Sequence, residues 1–320
     1  MSEDQSPEQS DAEFQESDSR TARNTSVPAG ESGQETPDEQ IQAQGADSQR
    51  ERPDAEIGFL FALEIESGGL QDRMQQTKTV RSPGFKAVYG EVSGRQSVVI
   101  ITGPGKANAE NGARILAEYH SGLRCIVSAG FAGGLVEGFA RNETVLVERV
   151  IEQLPDTEKT EEVKNKTAAQ HSASHLAKVR LDKKMNQYLA ESFEPPLRRA
   201  SLLTVGRMVH DPEIKSGLHE STGAELVDME SYAVARVCSE NGIPLIGVRI
   251  IIDPVDERLP EDVEPLMEKT TLARKTGQVI GTLWRRPSSL KDMFRLNENA
   301  QTASQLLGQT LVEVIEKLPN

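Results

Sequence analysis

Short apolar segments that do not alternate with polar residues recur along the chain, and they constrain its fold more than any other feature. Six of them are predicted to be strands, over residues 57–66, 97–103, 123–130, 143–151, 201–206 and 243–252. Several end at glycine and precede a helical pattern, most clearly at 106–120 and in the stretch that begins near Met229. Because a strand that is apolar on both faces must be covered on both, the pattern predicts an α/β fold, a single-domain three-layer sandwich with a central mixed sheet flanked by helices.

The first 54 residues differ in composition from the rest of the chain. They carry 14 acidic and 4 basic residues and a single aromatic, Phe14, so most of the net charge of −14 lies there. Such a segment buries too little apolar surface to offset the entropy of ordering. We therefore predict a disordered acidic tail over 1–54 and one folded domain over 55–320.

The later segments are predicted mainly from their polarity and period. Residues 154–175 are polar and are predicted to form a loop, whereas 181–193 and most of 261–320 are predicted to be helical. The last helix has an apolar face with the spacing expected for core packing. This face consists of Ala303, Leu306, Leu307, Leu311, Val314, Ile315 and Leu318.

Composition and charge exclude several classes of protein. A chain with this acidic balance and without clustered Lys and Arg is not expected to bind nucleic acid. No segment has the apolar length of a membrane span or the pattern of a secretory signal. Cys125 and Cys238 lie in apolar surroundings, as thiols do in a reducing compartment. We predict a cytoplasmic protein with neither metal nor cofactor, since the five histidines are scattered.

Carboxylates at strand ends are the first candidates for chemistry, because ligands of α/β sheets bind outside the carboxyl ends of the strands. Asp253 follows the last apolar run and Glu66 ends the first. An acid beside an apolar strand must be paired or take up a proton. The alternative for Asp253 is a turn before Pro254, and for Asp228 and Glu230 a favourable place at a helix N-terminus. That alternative is weaker for Glu230, whose neighbours indicate a helix packing inward.

Glycine-rich turns follow two of the predicted strands, at 103–105 and 130–134. They match neither the phosphate-binding P-loop nor the dinucleotide-binding GxGxxG pattern. As isolated motifs both are better explained as tight turns. A dinucleotide-dependent oxidoreductase is therefore the least favoured class of enzyme.

Five motifs, taken in order, resemble those of a known family. They are IGFLFALEIE at 57–66, TGPGKANA at 102–109, SAGFAGGL at 128–135, VDMES at 227–231 and VRIIID at 248–253. Together they resemble the nucleoside phosphorylase family, which includes nucleosidases that act on 5′-methylthioadenosine and S-adenosylhomocysteine. The resemblance covers residues 57 to about 260 and makes 55–320 a nucleoside phosphorylase-like domain. The stretches 202–231, 253–260 and 283–296 resemble most closely the hopanoid-associated phosphorylase branch, whose members are implicated in removing adenine from an adenosyl-hopane.

This resemblance implies hydrolysis of the N-glycosidic bond of an adenine nucleoside, in nucleoside catabolism or methionine salvage. Asp253 would protonate N7 of the purine, and Glu66 would orient and deprotonate a water molecule. Glu230 would accept hydrogen bonds from the ribose hydroxyls, and Met229 would pack on the sugar. The other residues implied to bind substrate are Phe131, Ala132, Gly133 and Val209.

Two alternatives stay open at this point. A phosphate-dependent purine nucleoside phosphorylase would need a phosphate site, for which Arg81 or Arg207 is available. Phe131 stands where the family often has a small hydroxyl residue, which favours water over phosphate. Ile252 replaces the serine that methylthioadenosine nucleosidases usually have before the catalytic Asp, a departure that bears on the orientation of the acid and on which nucleoside is the substrate. A non-catalytic nucleoside-binding relative is disfavoured, since a binder needs neither an acid nor a base. Family members commonly complete each other's pockets, so a homodimer is expected.

Overall fold

Ten strands hydrogen-bond into one mixed sheet, which forms the middle layer of the fold. The computed structural model describes residues 54–82, 85–153, 176–258 and 287–319, except for the side chains of Ser82, Gln153 and 287–297. The strands are β1 (Ile57–Phe61), β2 (Gln75–Ser82), β3 (Phe85–Val92), β4 (Arg95–Ile101), β5 (Cys125–Gly134), β6 (Thr144–Gln153), β7 (Leu176–Arg180), β8 (Arg198–Thr204), β9 (Leu226–Asp228) and β10 (Leu245–Asp253). The helices are α1 (Glu64–Gln71), α2 (Lys106–Tyr119), α3 (Lys183–Glu191), α4 (Pro212–Thr222), α5 (Ser231–Asn241) and α6 (Pro287–Lys317).

The sheet has the order β10-β6-β8-β9-β5-β1-β4-β3-β2, with β7 added on β6. Strand β10 also pairs with β5, in parallel, so that β5, β10, β6, β8 and β9 close into a ring. The pairs β1–β4, β1–β5, β6–β8 and β8–β9 are parallel, whereas β2–β3, β3–β4, β5–β9 and β6–β10 are antiparallel. The predicted mixed sheet is confirmed.

Helices cover both faces of the sheet, as the apolar strands require. Along β1, Ile57 and Phe59 pack in a core with residues of α1, α3 and α6, whereas Leu60 packs in a second core with residues of α2 and α5. The period of two along the strand sends alternate side chains to opposite layers. The predicted three-layer α/β sandwich is therefore confirmed.

Two predicted strand ends are wrong, and both errors lie beside the cavity described below. The first apolar run leaves the sheet at Phe61, and Glu66 lies in the first turn of α1 instead of at a strand end. The Glu66 side chain accepts the backbone N–H of Leu63, as a helix-capping carboxylate does. Strand β5, predicted to stop at residue 130, continues to Gly134, because its last residues pair with both β9 and β10.

Four strands were missed by the sequence analysis: β2, β3, β7 and β9. Strand β2 has the sequence QQTKTVRS and an exposed face, so it lacks the continuous apolar run by which the others were found. Strand β9 is only three residues long. Long apolar strands are recognisable from a single sequence, whereas mostly exposed and very short strands are not.

The C-terminal helix α6 buries the predicted apolar face with one exception. Ala303, Leu307, Leu311, Val314, Ile315 and Leu318 are buried, but Leu306 is 39% exposed and was wrongly assigned to this face. Helix α6 crosses α1 so closely that a Cβ at Gly69 would lie 2.0 Å from the carbonyl oxygen of Ser304. Only glycine fits at that crossing.

Some predictions fall on residues outside the described ranges. These are the acidic tail, apart from Asp54 itself, the loop at 154–175, and the first part of the helical C-terminal segment, 259–286. The described residues all belong to one compact unit, Arg52–Asn320.

Candidate active site

A cavity of about 310 Å³ opens where β1, β5, β8, β9 and β10 end. Its volume is within the range of small-molecule sites. Every residue predicted for the site lines it: Glu66, Phe131, Ala132, Gly133, Val209, Met229, Glu230 and Asp253. Residues far apart in the chain thus meet at one edge of the sheet, and the roles given to them stay predictions.

Glu66 is held at the cavity wall by two backbone donors. Its side chain is 5% exposed. The N–H of Phe131 donates to Oε1 at 2.9 Å, and the N–H of Leu63 donates to Oε2 at 2.8 Å. Burial raises the pKa of Glu66 above its usual value, while these hydrogen bonds and the charge of Arg249 oppose the rise. Glu66 is therefore an oriented carboxyl group that accepts a proton more readily than an exposed one.

Glu230 lies at the start of α5 and faces the same cavity. The N–H of Gly105 donates to Oε1 at 2.6 Å, and the N–H of Met229 donates to Oε2 at 3.2 Å. Gly105 has φ of 94°, a conformation that favours glycine, which explains the residue type at this turn. Withdrawal from water, and then the charges of Asp228 and Glu66, raise the pKa of Glu230 to about 8. A carboxyl group of this kind can both donate to and accept from sugar hydroxyls.

Asp253 is the last residue of β10 and is 4% exposed. Its Oδ2 lies 2.8 Å from Nζ of Lys215, a residue of α4 that is 0% exposed. Burial raises the pKa of Asp253, and the Lys215 ammonium group opposes the rise. The sequence analysis did not foresee this partner, because α4 approaches β10 only in the folded chain.

A fourth acid at the cavity, Asp228, is part of a buried ion pair. Its Oδ2 lies 3.0 Å from Nη2 of Arg249 and accepts the hydroxyl of Ser231 at 2.7 Å. Arg249 also donates to the carbonyl and hydroxyl oxygens of Ser128, at 2.7 and 2.9 Å. Both charged residues are satisfied within the core, so Asp228 serves the fold and the start of α5. Arg249 was missed, although it is the single charged residue in the apolar run 243–252.

A second, much smaller chamber of about 20 Å³ adjoins Glu66, Glu230 and Arg249. Its volume suffices for one water molecule and is too small for a phosphate ion. Phe131 lines this chamber and the main cavity as well. Glu66 and Glu230 therefore lie beside a water-sized chamber. Asp253 lies at the end of β10 and lines the larger cavity.

The two arginines considered for phosphate lie in different places. Arg207 lines the cavity and is exposed, whereas Arg81 lies on β2 and is not among the cavity's lining residues. Met229, Met208, Val209 and Ile252 give the lining a predominantly apolar character. Among the described residues of this lining, none joins Arg207 in a paired cationic clamp of the kind that oxyanions prefer.

Two further observations concern other kinds of site. Across the described ranges, no group of three or more His, Cys, Asp or Glu side chains is arranged to hold a metal ion. None of the helices within those ranges combines the length and the apolar character of a bilayer span.

The fold and this cavity define a class of protein, an α/β sandwich whose sheet edge carries a cavity lined by buried carboxyl groups from strand ends and helix starts. The sequence profile of the Phosphorylase superfamily matches residues 56–282, and the chain belongs to this superfamily. The predicted family is thereby confirmed, and with it the class of enzyme that comprises nucleosidases and nucleoside phosphorylases. The closer resemblance to the hopanoid-associated branch stays a prediction.

Individual relatives agree with this assignment. A 5′-methylthioadenosine/S-adenosylhomocysteine nucleosidase of Shewanella loihica is 26% identical over 215 residues, which are 67% of this chain and 92% of that protein. A crystal structure of the nucleosidase of the same name from Neisseria meningitidis, in complex with methylthio-immucillin-A, has a TM-score of 0.59 at 21% identity and covers 82% of this chain and 99% of its own. A mutant of futalosine hydrolase from Helicobacter pylori has a TM-score of 0.59 at 16% identity, with coverage of 82% and 99%. These structural similarities show the fold.

Proposed function

We propose that the protein is a nucleosidase, which hydrolyses the N-glycosidic bond between adenine and ribose in an adenine nucleoside. The observation that carries the proposal is the arrangement of acids around one cavity. Glu66 and Glu230 adjoin a water-sized chamber, and Asp253 lies at the end of β10, and the pKa of each is raised by burial. Glycoside hydrolysis uses such carboxyl groups in different protonation states.

In the proposed mechanism, Asp253 protonates N7 of adenine as the bond from N9 to C1′ breaks. Protonation makes the base a better leaving group, and positive charge develops on the ribose. Burial favours the protonated form of Asp253, in keeping with this role. Adenine leaves with the proton, and the pair of electrons of the broken bond stays on the base.

Water is proposed to attack C1′ from the chamber beside Glu66. Glu66 accepts a proton from that water, while its two backbone hydrogen bonds keep the carboxylate in one orientation. Glu230 binds the ribose hydroxyls, and Met229 packs on the sugar. Phe131, Ala132, Gly133 and Val209 complete the walls that contact base and sugar.

The apolar lining favours a nucleoside whose 5′ substituent is apolar. Its contributors include Leu63, Ile65, Met208 and Ile252. A methylthio group or a lipid such as hopane fits this chemistry better than the charged end of homocysteine. We therefore propose 5′-methylthioadenosine and an adenosyl-hopane ahead of S-adenosylhomocysteine. We further propose that the protein acts in methionine salvage or nucleoside catabolism, that it is cytoplasmic and that it forms a homodimer.

Phosphorolysis is the second candidate, and one observation favours it. Arg207 is an exposed cation at the cavity, where it is available to an incoming phosphate. Against it, the aromatic ring of Phe131 offers phosphate no hydrogen bond, and the smaller chamber beside Glu66 has a volume of only about 20 Å³. A non-catalytic nucleoside binder would have no use for the acid and the base together.

The deciding experiment measures adenine release by chromatography from 5′-methylthioadenosine, S-adenosylhomocysteine and an adenosyl-lipid, each with and without phosphate. We expect adenine and the free sugar in the absence of phosphate, with no acceleration when phosphate is added. Strict dependence on phosphate and a sugar 1-phosphate product would instead establish a phosphorylase. Absence of adenine with every substrate would overturn both enzymatic proposals.

A further inference from the structure

In the described part of the protein, Lys215 is the buried cation that forms an ion pair with Asp253. Its side chain is 0% exposed, and its Nζ lies 2.8 Å from Oδ2 of Asp253. It belongs to α4, which directly follows the loop that carries Val209. A lysine almost never occupies such a position without a specific partner.

The ammonium group of Lys215 also holds the turn that follows Asp253. It donates to the carbonyl oxygens of Pro254 at 2.9 Å and Glu257 at 3.0 Å. The Asp253 carboxylate and, at 3.5 Å, the Asp253 carbonyl oxygen bring the number of acceptors around its three N–H donors to four. Arg141 donates to the carbonyl oxygen of Ile252 and to the carboxylate of Glu257. Two cations thus hold the acid together with the residues on either side of it.

The two oxygens of the Asp253 carboxyl group therefore differ. Oδ2 is engaged by Lys215, whereas in the described part of the chain no protein group donates a hydrogen bond to Oδ1. The carboxyl group also packs on the bare backbone of Gly133, where a Cβ would lie 3.0 Å from Oδ2 and 3.2 Å from Oδ1. Oδ1 is the oxygen left for a ligand in the cavity.

We propose that Lys215 is a positioning residue for the general acid: it holds Oδ2 and the following turn, so that Oδ1 is presented to the nucleobase. The inference rests on the proposed function, in which Asp253 protonates adenine. It adds a residue that touches neither substrate nor water and acts through the acid.

The charge of Lys215 gives this role a second, measurable consequence. Burial raises the pKa of Asp253 and Glu257 adds to the rise, whereas Lys215 on α4 and then Arg141 lower it. Removing the ammonium group therefore raises the pKa of Asp253 further. Because the protonated acid is the active form, the basic limb of the pH–rate profile should move to higher pH.

The test compares Lys215→Met with the wild-type enzyme on two substrates. One is 5′-methylthioadenosine, whose base must be protonated. The other is p-nitrophenyl β-D-ribofuranoside, whose leaving group departs without a proton. We expect kcat for adenine release, measured on the acidic plateau, to fall about tenfold or more because the acid is no longer oriented. The basic limb of the pH–rate profile for adenine release should shift to higher pH by about one unit or more.

Hydrolysis of the p-nitrophenyl riboside should change little in Lys215→Met, since that reaction bypasses the acid. A merely structural role would slow both substrates equally and leave the pH profile in place, and that outcome would overturn the inference. Arg236→Met is the matched control, because it removes a partly exposed cation that pairs with Glu110 and Glu240 at the protein surface. It should leave both rates and the pH profile unchanged.

A second pair of variants covers the case in which Lys215→Met fails to fold with an unpaired buried acid. The double variant Lys215→Met/Asp253→Asn removes both charges and is compared with Asp253→Asn on the p-nitrophenyl riboside. Equal rates support action through Asp253. A further loss of about tenfold in the double variant would show an independent role and refute the inference.

Failure of this inference is distinct from failure of the proposed function. If wild-type protein releases no adenine, the proposed function fails and the inference fails with it. If wild-type protein releases adenine and Lys215→Met retains its rate and pH profile, the function stands and only the role of Lys215 is refuted.

Discussion

The backbone N–H of Phe131 donates a hydrogen bond of 2.9 Å to Oε1 of Glu66, 65 residues earlier in the chain. This contact joins the first turn of α1 to β5 and fixes one oxygen of the carboxyl group. It is possible only because the preceding residue is glycine. A Cβ at Gly130 would lie 2.8 Å from Oε1 and 3.1 Å from the carboxyl carbon of Glu66. Gly130 therefore makes room for the group to which we assign the activation of water.

Gly130→Ala should displace the Glu66 carboxyl group while leaving the strand intact. We expect kcat for adenine release to fall by about 100-fold, the loss typical of a reacting group moved by about 1 Å. Gly217→Ala is the control, since it lies on the exposed face of α4 with no atom within 4 Å of the added Cβ. Steady-state kinetics of both variants decides; wild-type kcat in Gly130→Ala would refute the role of Glu66.

Asp253→Asn should abolish adenine release and preserve the fold. The amide cannot deliver a proton, and loss of a general acid lowers rates by about 100- to 10,000-fold. Its carbonyl oxygen can still accept from Lys215, so the buried lysine keeps a neutral partner. The measurements are single-turnover adenine release and thermal unfolding. A fully active, folded variant would disprove the mechanism.

Glu230 should make stability depend on pH. Its pKa rises from 4.5 to about 8 in the folded protein, so its contribution is fully present below about 4.5. That contribution is lost as the pH rises towards and through 8, because the unfolded chain releases the proton first. In Glu230→Gln this titration is absent, and the fall in Tm between about pH 5 and about pH 8 should be smaller by at least about 2 °C. Differential scanning fluorimetry measures it; parallel curves for the two proteins would contradict the assigned environment of Glu230.

Arg249→Met should destabilise the protein strongly. It leaves Asp228, which is 7% exposed, without its ion-pair partner. Breaking one partner of a buried pair costs about 3–5 kcal/mol. Arg236→Met breaks only partly exposed pairs near the surface and should change the free energy of unfolding by less than about 1 kcal/mol. Urea unfolding compares the two; similar midpoints would show that the buried pair contributes little.

The layers of the fold were predictable because they depend on local pattern. Apolar runs such as 97–103 and 243–252 predicted the buried strands β4 and β10, and the apolar spacing of 106–120 predicted α2. Strand β2 was not predictable in this way, since most of its residues are exposed and it has no apolar run. It pairs with the next strand, β3, as an antiparallel hairpin, and its own composition does not express this pairing.

The residues of the cavity were predictable as a set from the motifs, and their partners were not. Short motifs identify Glu66, Glu230 and Asp253, because the proposed hydrolysis needs carboxyl groups and these three lie in motifs at strand ends and helix starts. Their protonation depends on burial and on neighbours from elsewhere in the chain. Phe131 donates its backbone N–H to Glu66, and Gly105 donates its backbone N–H to Glu230.

The amino-acid sequence by itself determined the α/β layers, the family and the acids that surround the cavity, because apolar period and motif spacing are local properties of the chain. Only the tertiary structure decided that Glu66 caps a helix, that Arg249 pairs with Asp228, and that Lys215 reaches Asp253. The physical reason is that burial and electrostatic pairing act through space, between residues that the order of the chain keeps apart.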